Sequence, residues 1–331
     1  MVRITMVAYN GCLFSSLELL ADAFTISNLW HKKLREEDPL KEPSAEPLFE
    51  TNVVTVKGKS FVTNSGIRVQ PDGAFEDVKD TDLILIAPYL FGVHEFPEAI
   101  PELIPPLISC YKNNVRIGAI CTAAFILART GLLDGKIATT NWQVTRSFRQ
   151  EFPNVILKPD RILTEDSGLI CTGAATSQYN LALHIIERYG NKELVRTCSK
   201  VFLVDPRRIT QTPYIITNFR KNHGDEKILK AQSWMEENFV NTMTIDSIAQ
   251  LVGMSPRHFK RRFKIATDET PLAYLHQIRI EVAKKQLEGT THNIDEITNL
   301  VGYEDSGTFR RLFKKLTSLS PREYRDRFST L

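Results

Sequence analysis

The stretch TIDSIAQLVGMSPRHFKRRFK (244–264) decides how this chain is read, because NIDEITNLVGYEDSGTFRRLFKK (293–315) echoes it. Ile245, Asp246, Ile248, Leu251, Val252 and Gly253 match Ile294, Asp295, Ile297, Leu300, Val301 and Gly302. Past the glycine the register slips by one, so that Phe259, Phe263 and Pro271 match Phe309, Phe313 and Pro321. A period of about fifty residues that repeats a helix, a glycine turn and a basic helix is a duplicated supersecondary unit.

In the first copy Ser255 can cap a helix and Pro256 suits its first turn. Arg257, Lys260, Arg261, Arg262 and Lys264 follow with no acid among them. At about 100° per residue, Arg257, Lys260, Arg261 and Lys264 share one arc, while Phe259, Phe263 and Ala266 share the opposite one. A lone run of cations usually marks a solvated face. Its recurrence in a second unit argues for a working surface that meets negative charge.

Around the repeat, Lys227–Phe239 and Thr244–Val252 carry helical periodicity, and Gly253 supplies the turn into the basic helix. Thr270-Pro271 starts a long helix over Leu272–Leu287, ended by Gly289. Asn293 and Glu296 form a capping box for the second unit, whose basic helix runs from about Ser306 to Thr317. Ser320-Pro321-Arg322-Glu323 opens a last helix ending near Phe328.

With 331 residues the chain is long for one domain. Its net charge is only +3, but the distribution is informative. From 221 onward there are 18 Lys and Arg against 15 Asp and Glu, which leaves 24 against 24 in residues 1–220. The excess sits in the part that carries the repeat, as expected of a nucleic-acid partner. Five widely spaced cysteines without a C-x-x-C pair fit a reducing cytoplasm and supply no zinc site. The start, MVRITMVAY, reads as a first strand and not as a secretion signal, and no apolar run is long enough for a bilayer. A cytoplasmic protein without metal, cofactor or membrane partner is expected.

Upstream, apolar strand-like runs alternate with helical ones. Val2–Ala8 ends in the turn Tyr9-Asn10-Gly11 and leads into a helical pattern through Leu17, Leu20, Phe24 and Ile26. The charged, proline-rich stretch 35–47 reads as a surface loop. Strands follow at Asn52–Val56, Asp82–Ala87, Val115–Ile120, Ile137–Thr140 and Leu169–Cys171, with helices at Leu103–Tyr111, Thr122–Thr130 and Thr176–Tyr189. The run DLILIA (82–87) is apolar on both faces, as a buried parallel strand requires. This rhythm predicts an α/β domain with a mostly parallel sheet. Neither a dinucleotide-binding glycine fingerprint nor a P-loop is present.

The chemically suggestive point is VRIGAI-Cys121-TAAFILA. A buried strand runs into a cysteine and a helix begins at once, with small Gly118 and Ala123 on either side, as a nucleophile elbow demands. The positive end of a helix there would favour thiolate. A lone cysteine after a strand is more often a small buried residue.

The segments YNGCLFSSLELLADAF (9–24), GAICTAAFILARTGLLDGKIATTNW (118–142) and TGAATSQYNLALHIIERYG (172–190) resemble the class I glutamine amidotransferase-like (PfpI-type) fold as it occurs in bacterial regulators. The resemblance implies a flavodoxin-like domain. In enzymes of that superfamily a histidine partners the elbow cysteine in a T-T-H-W-like segment, whereas this chain has Thr139-Thr140-Asn141-Trp142. An amide cannot take the thiol proton. His94 and His184 are not where the resemblance would put a base, and His184, among apolar neighbours, reads as structural. Glu18 or Asp22 from the early helix could bond the cysteine or could lie on a solvated face.

The paired helix-turn-helix units and the G-Y-E-D-S-x-T-F-R-R-x-F-K segment at 302–314 resemble the AraC/XylS family of bacterial transcription regulators, an all-α DNA-binding domain. Together the resemblances imply an amidotransferase-like ligand-sensing domain over 1–210 that dimerises, a linker over 211–224, and a DNA-binding domain over 225–331 with helix-turn-helix units at about 244–264 and 293–317. Two recognition helices on one body would reach successive major grooves about 10 bp apart. The resemblance assigns base reading to Arg257 and Arg261, with His258 nearby. The corresponding positions of the second unit are Ser306, Gly307 and Arg311, with Thr308 beside them. Gly307 has no side chain to contact a base, so less reading is expected there. Lys260, Lys264, Arg310 and Lys314 are assigned to phosphates.

Ligands of such α/β domains bind at the C-terminal ends of the strands. The candidates are Asn10, Gly11, Pro88, Tyr89, Cys121, Thr122, Asn141 and Thr172–Thr176, and neutral donors and acceptors of this kind suit a small polar metabolite. The leading expectation is a regulator of transcription, homodimeric, controlled by that metabolite and touching RNA polymerase if it activates. Two alternatives stay open: an active cysteine hydrolase or lyase fused to a DNA-binding domain, and a redox sensor acting through Cys121.

Overall fold

Val2–Val7 (β1) and Leu83–Ile86 (β6) are buried along nearly their whole length, which places them in the middle of a sheet covered on both faces. The computed structural model describes residues 1–37, 46–90, 100–174 and 176–330. They fall into two compact units, Met1–Gln211 and Thr212–Leu331.

In unit 1, β1 pairs in parallel with β6 and with β2 (Phe49–Thr55). The short β5 (Gly73–Ala74) extends the β2 edge, after a small hairpin of β3 (Phe61–Val62) and β4 (Arg68–Val69). On the other side β6 is followed by β7 (Arg116–Ala119), β11 (Leu169–Thr172) and β10 (Leu163–Asp166). The sheet order is β10-β11-β7-β6-β1-β2-β5, and the β10–β11 pair is antiparallel among parallel neighbours. A flavodoxin-like, mostly parallel sheet is therefore present, as the alternation of strands and helices predicts.

Helices cover the sheet. Helix α1 (Ser15–Glu36) packs against α5 (Ser177–Tyr189) and α6 (Lys192–Val201), and α2 (Ile100–Lys112) lies against β7 and α3 (Ala124–Arg129). Several expectations are corrected in detail. The strand expected over 137–140 is only β8 (Ile137–Ala138), which pairs outside the main sheet with β9 (Ile156–Leu157), flanking α4 (Thr145–Glu151). The helix expected from Thr122 opens as a 3-10 turn, Cys121–Ala123, before α3. Strand β10 and helix α6 were not anticipated. His94 and most of the proline-rich loop lie outside the described residues.

Unit 2 is all helical: α7 (Glu226–Asn238), α8 (Ile245–Leu251), α9 (Pro256–Thr267), α10 (Pro271–Gly289), α11 (Ile294–Leu300), α12 (Ser306–Thr317) and α13 (Pro321–Phe328). It holds two hydrophobic cores. Ile228, Met235, Ile248, Phe259, Phe263 and Tyr274 anchor the first, and Leu287, Ile297, Val301, Phe309, Phe313 and Tyr324 the second. Helix α10 serves both, giving Tyr274, Leu275 and Ile278 to one and Ile280, Ala283 and Leu287 to the other. Residues 212–224, expected to be a linker, lie along this unit: the Tyr214 ring meets Phe328 and the Phe219 ring meets Tyr274. Among the described residues no helix is long and apolar enough to cross a membrane.

Candidate functional site

Cys121 stands at the end of β7 with φ +55°, a left-handed conformation that a non-glycine residue adopts only when its surroundings enforce it. Here the enforcement is visible. Its N–H donates to Thr172 Oγ1 at 3.3 Å, and its carbonyl accepts from Thr140 Oγ1 at 2.9 Å. Next to it, Thr122 Oγ1 donates to the Tyr89 carbonyl (2.6 Å) and lies 2.9 Å from the Tyr89 N–H. The elbow expected from the sequence is present, built by the hydroxyls of Thr122, Thr140 and Thr172.

The thiol itself is buried, and the amide of Asn141 donates to it, Nδ2 to Sγ 3.5 Å. Asn141 is fixed from its other end, since Oδ1 caps the 3-10 turn Trp142–Val144 by accepting from Gln143 N at 3.0 Å. Burial pushes the Cys121 thiol above its ordinary value, outweighing the hydrogen bonds from Asn141 and Thr122 that pull the other way. The thiolate expected from a nearby helix end is therefore disfavoured. Beneath the elbow lie Tyr9, whose hydroxyl donates to Ala87 O at 2.6 Å, and Cys12, pushed up to about 11 by burial. This floor is neutral and apolar.

Neither acid of the early helix reaches the sulfur. Glu18 and Asp22 are exposed and line a surface groove of about 340 Å³ with Leu19, Ile26, Tyr179 and Phe202, because Leu17, Leu20 and Phe24 occupy the inward face of α1. His184 is not simply packed among apolar neighbours: it is half-buried, with Nε2 2.7 Å from Glu165 Oε2 on β10, beside Arg188. Among the described residues no histidine or carboxylate bonds the Cys121 sulfur, and no group of His, Cys, Asp and Glu could hold a metal ion.

The other ligand candidates divide. Tyr89, Cys121 and Thr122 are buried together, and Asn141 is half-buried beside them. Asn10 and Gly11 serve the β3 strand, Asn10 Oδ1 accepting from Val62 N (2.8 Å) and Gly11 N donating to Val62 O (2.8 Å). Thr176 is exposed and holds Arg208 through Oγ1 and its carbonyl, both at 3.0 Å. Sequence reasoning missed Thr140 and Gln211, and it named Thr172 only as a ligand candidate, not as a support of the elbow backbone. The amide of Gln211 donates to the carbonyls of Thr140, Pro159 and Arg161 at 2.9, 2.8 and 3.2 Å.

In unit 2 the two basic helices are congruent residue for residue. Ser255 accepts from His258 N, and Asp305 accepts from Gly307 N and Thr308 N, so each helix is capped at its start. Thr267 and Thr317 each donate back to the phenylalanine carbonyl four residues earlier, at 2.8 Å. Each helix then ends on a left-handed residue, Asp268 or Ser318. Phe259, Phe263, Phe309 and Phe313 are fully buried, which makes them core. Arg257, His258, Lys260, Arg261 and Lys264 are all exposed, and Arg257, Lys260, Arg261 and Lys264 make no ion pair within the described residues. Arg262 instead pairs with Asp225, the cap of α7.

The second helix is less open. Ser306 is half-buried and is the congruent partner of Pro256; Gly307 faces Arg257 in the comparison, and Thr308 faces His258. Arg310 pairs with Asp295 at 3.4 Å, Arg311 donates to Thr308 Oγ1 at 3.1 Å, and Lys314 is exposed. The carboxyl of Asp305 is held below its usual range by the Thr308 side chain and the N–H groups of Thr308 and Gly307, so this helix begins with a negative charge. Within unit 2 the two helix-turn-helix halves are joined: Arg279 donates to Phe239 O (2.8 Å) and Asn241 O (3.2 Å) and stacks over the Tyr303 ring.

Comparison with known proteins agrees with both units. Residues 41–188 match the model of the DJ-1/PfpI family, and residues 248–327 match that of a helix-turn-helix domain. The transcriptional regulator CdhR of Pseudomonas aeruginosa is 24% identical over 281 residues, covering 84% of this chain and 82% of that protein. GbdR of the same species, also named a transcriptional regulator, is 24% identical over 311 residues, covering 93% and 83%. The crystal structure of an AraC family transcriptional regulator from Pseudomonas putida superposes with a TM-score of 0.51 at 18% identity, covering 61% of this chain and 100% of that one, a likeness of fold.

Proposed function

We propose that this chain is a DNA-binding transcriptional regulator of the AraC type whose DJ-1/PfpI unit is a catalytically silent receptor for a small polar metabolite, a reading supported by the two family matches and by the similarity to CdhR and GbdR. The observation that carries the proposal is the pairing of a strained, well-built elbow with a thiol that has an amide for its partner. Hydrolysis through a cysteine needs a base to take the thiol proton. Asn141 offers an N–H to the sulfur instead, and burial holds the proton on. What remains is a set of neutral donors and acceptors around Cys121, Thr122, Tyr89 and Asn141, suited to a polar, uncharged part of a ligand. The raised thiol also argues against a redox sensor, since oxidation proceeds from thiolate.

Occupancy of this site would decide, in the cytoplasm and in a homodimer, when α9 and α12 engage DNA, with RNA polymerase as a further partner if the outcome is activation. In that reading Arg257 and Arg261 face base edges and Lys260, Lys264, Arg310 and Lys314 face phosphates. Thermal-shift screening of amino acids, amides and their derivatives against the full chain tests the receptor: a stabilising compound whose effect is lost in Asn141→Ala supports it, and turnover of any amide abolished by Cys121→Ser would replace it with an enzyme. For the DNA surface, Arg257→Ala and Arg261→Ala should each lose about 1–3 kcal/mol of discrimination on a duplex selected from a random pool. Unchanged selectivity in both would remove α9 from base reading.

A further inference from the structure

We propose that Gln211 couples the Cys121 elbow to the DNA-binding unit, acting as the latch between the loop that touches the cysteine and the strap 212–224 that ties both helix-turn-helix cores. The inference rests on the reading of the elbow as an effector site and names the route by which its state is passed on.

Gln211 is the last residue of unit 1 and is 4% exposed. Its N–H donates to Asp160 O at 2.9 Å, and its side-chain amide reaches Thr140, Pro159 and Arg161 as described above. Thr140 is the residue whose hydroxyl holds the Cys121 carbonyl. On the far side the Gln211 carboxamide lies against Gly173, where a Cβ would come within 2.7 Å of Oε1. Gly173 follows Thr172, whose hydroxyl accepts from the Cys121 N–H. Both flanks of the Gln211 amide are thus continuous with the two hydroxyls that hold the elbow backbone. Its Oε1 is buried and has no hydrogen-bond partner among the described residues. Buried carbonyl oxygens are rarely left so, and movement of 139–141 or of Gly173 offers this one relief.

The next residue begins unit 2, and the strap is fastened along its length. Tyr214 packs its ring on Phe328 (5.3 Å), in the second core. Ile215 O accepts from Lys284 Nζ (2.9 Å), a buried lysine that also pairs with Glu281, and Thr217 Oγ1 donates to the same Glu281 (2.9 Å). Phe219 meets Tyr274 (4.8 Å) of the first core, and Gln232 Nε2 donates to Arg220 O (2.8 Å). A strap bonded to both cores and to the helix they share has little slack. A shift of Gln211 is passed along the chain to the strap, and so bears on the body to which both recognition helices are fastened.

Hydrogen exchange of the full chain, read by mass spectrometry, tests the coupling without an effector. Thr140→Val removes the hydroxyl at Cys121 while keeping the side-chain shape. It is expected to change exchange of peptides within 212–224 by about fivefold or more, and to change affinity for a duplex selected by the wild-type chain to a similar degree. In a Gln211→Met background the same substitution should leave both unchanged. Gly173→Ala, which displaces the Gln211 amide from the other side, should uncouple them likewise and covers the case in which Gln211→Met fails to fold. A strap indifferent to Thr140→Val, or one that responds equally in all backgrounds, overturns the proposal. An effector screen without a hit would sink the receptor reading alone, because the exchange experiment uses no ligand.

Discussion

At the scale of single residues the thiol of Cys121 is governed by what surrounds it more than by where it sits. Its place at a strand end before a helix turn would lower its pKa, yet burial over Tyr9 and Cys12 raises it. The rate of alkylation by a small haloacetamide should therefore keep climbing with pH past the ordinary thiol value of about 8.5, with no plateau below it. Asn141→His places an imidazole where the amide now meets sulfur, and the rise should begin at lower pH; identical profiles would show that Asn141 does not control the thiol. The elbow was legible in the sequence because a buried strand, a cysteine and a helix with small neighbours adjoin one another. The choice between bonded and solvated Glu18 and Asp22 stayed open in the sequence, and it is the packing of Leu17, Leu20 and Phe24 on the inward face of α1 that turns both outward. Gln211 was not legible: its partners are backbone carbonyls 71, 52 and 50 residues away, and carbonyls carry no sequence signature.

At the scale of elements the repeat was readable because each helix carries its own punctuation. Capping boxes at Thr244, Asn293 and Ser320 and prolines at 256, 271 and 321 set the starts that the sequence suggests to within a residue or two. The short strands β9 and β10 carry no such marks, and tertiary pairing alone makes them strands, while β8 keeps two residues of the strand expected over 137–140. Equivalent glycines separate local from tertiary demands. Gly253 and Gly302 both have positive φ, +62° and +78°. A Cβ at Gly253 would meet only the tip of Lys227 at 3.8 Å, whereas at Gly302 it would lie 2.5 Å from the Val240 carbonyl oxygen, at the seam between the two cores. Gly253→Ala should cost about 1 kcal/mol of stability, for the left-handed backbone alone. Gly302→Ala should cost about 3 kcal/mol or more, since backbone at the seam must also move. Equal losses in denaturant unfolding would mean that the seam yields freely.

At the scale of the whole molecule, charge is where the division of labour shows. Residues 1–220 are balanced at 24 against 24, and the excess of three positive charges lies beyond them. So small an excess says little about DNA affinity, which depends on how many cations stand against phosphates. The fold sorts those cations. Lys260, Lys264 and Lys314 are exposed and make no ion pair among the described residues; Arg310 shares an exposed pair with Asp295, weak enough to exchange for a phosphate. Arg262, on the same helix as Lys260, is spent on Asp225, whose carboxyl also caps α7. Sequence alone counted five cations in the first basic helix and could not tell which of them the fold uses internally. The salt dependence of binding separates them. Replacing Lys260, Lys264, Arg310 or Lys314 by Ala should each reduce the slope of log affinity against log salt by about 0.9, alike on selected and unrelated duplexes. Arg262→Ala should leave the slope where it is and lower the thermal midpoint of the unit instead. If Arg262→Ala flattened the slope as the lysines do, the Asp225 pair would open on DNA, and α9 would offer five cations where the fold leaves four exposed and outside any ion pair among the described residues.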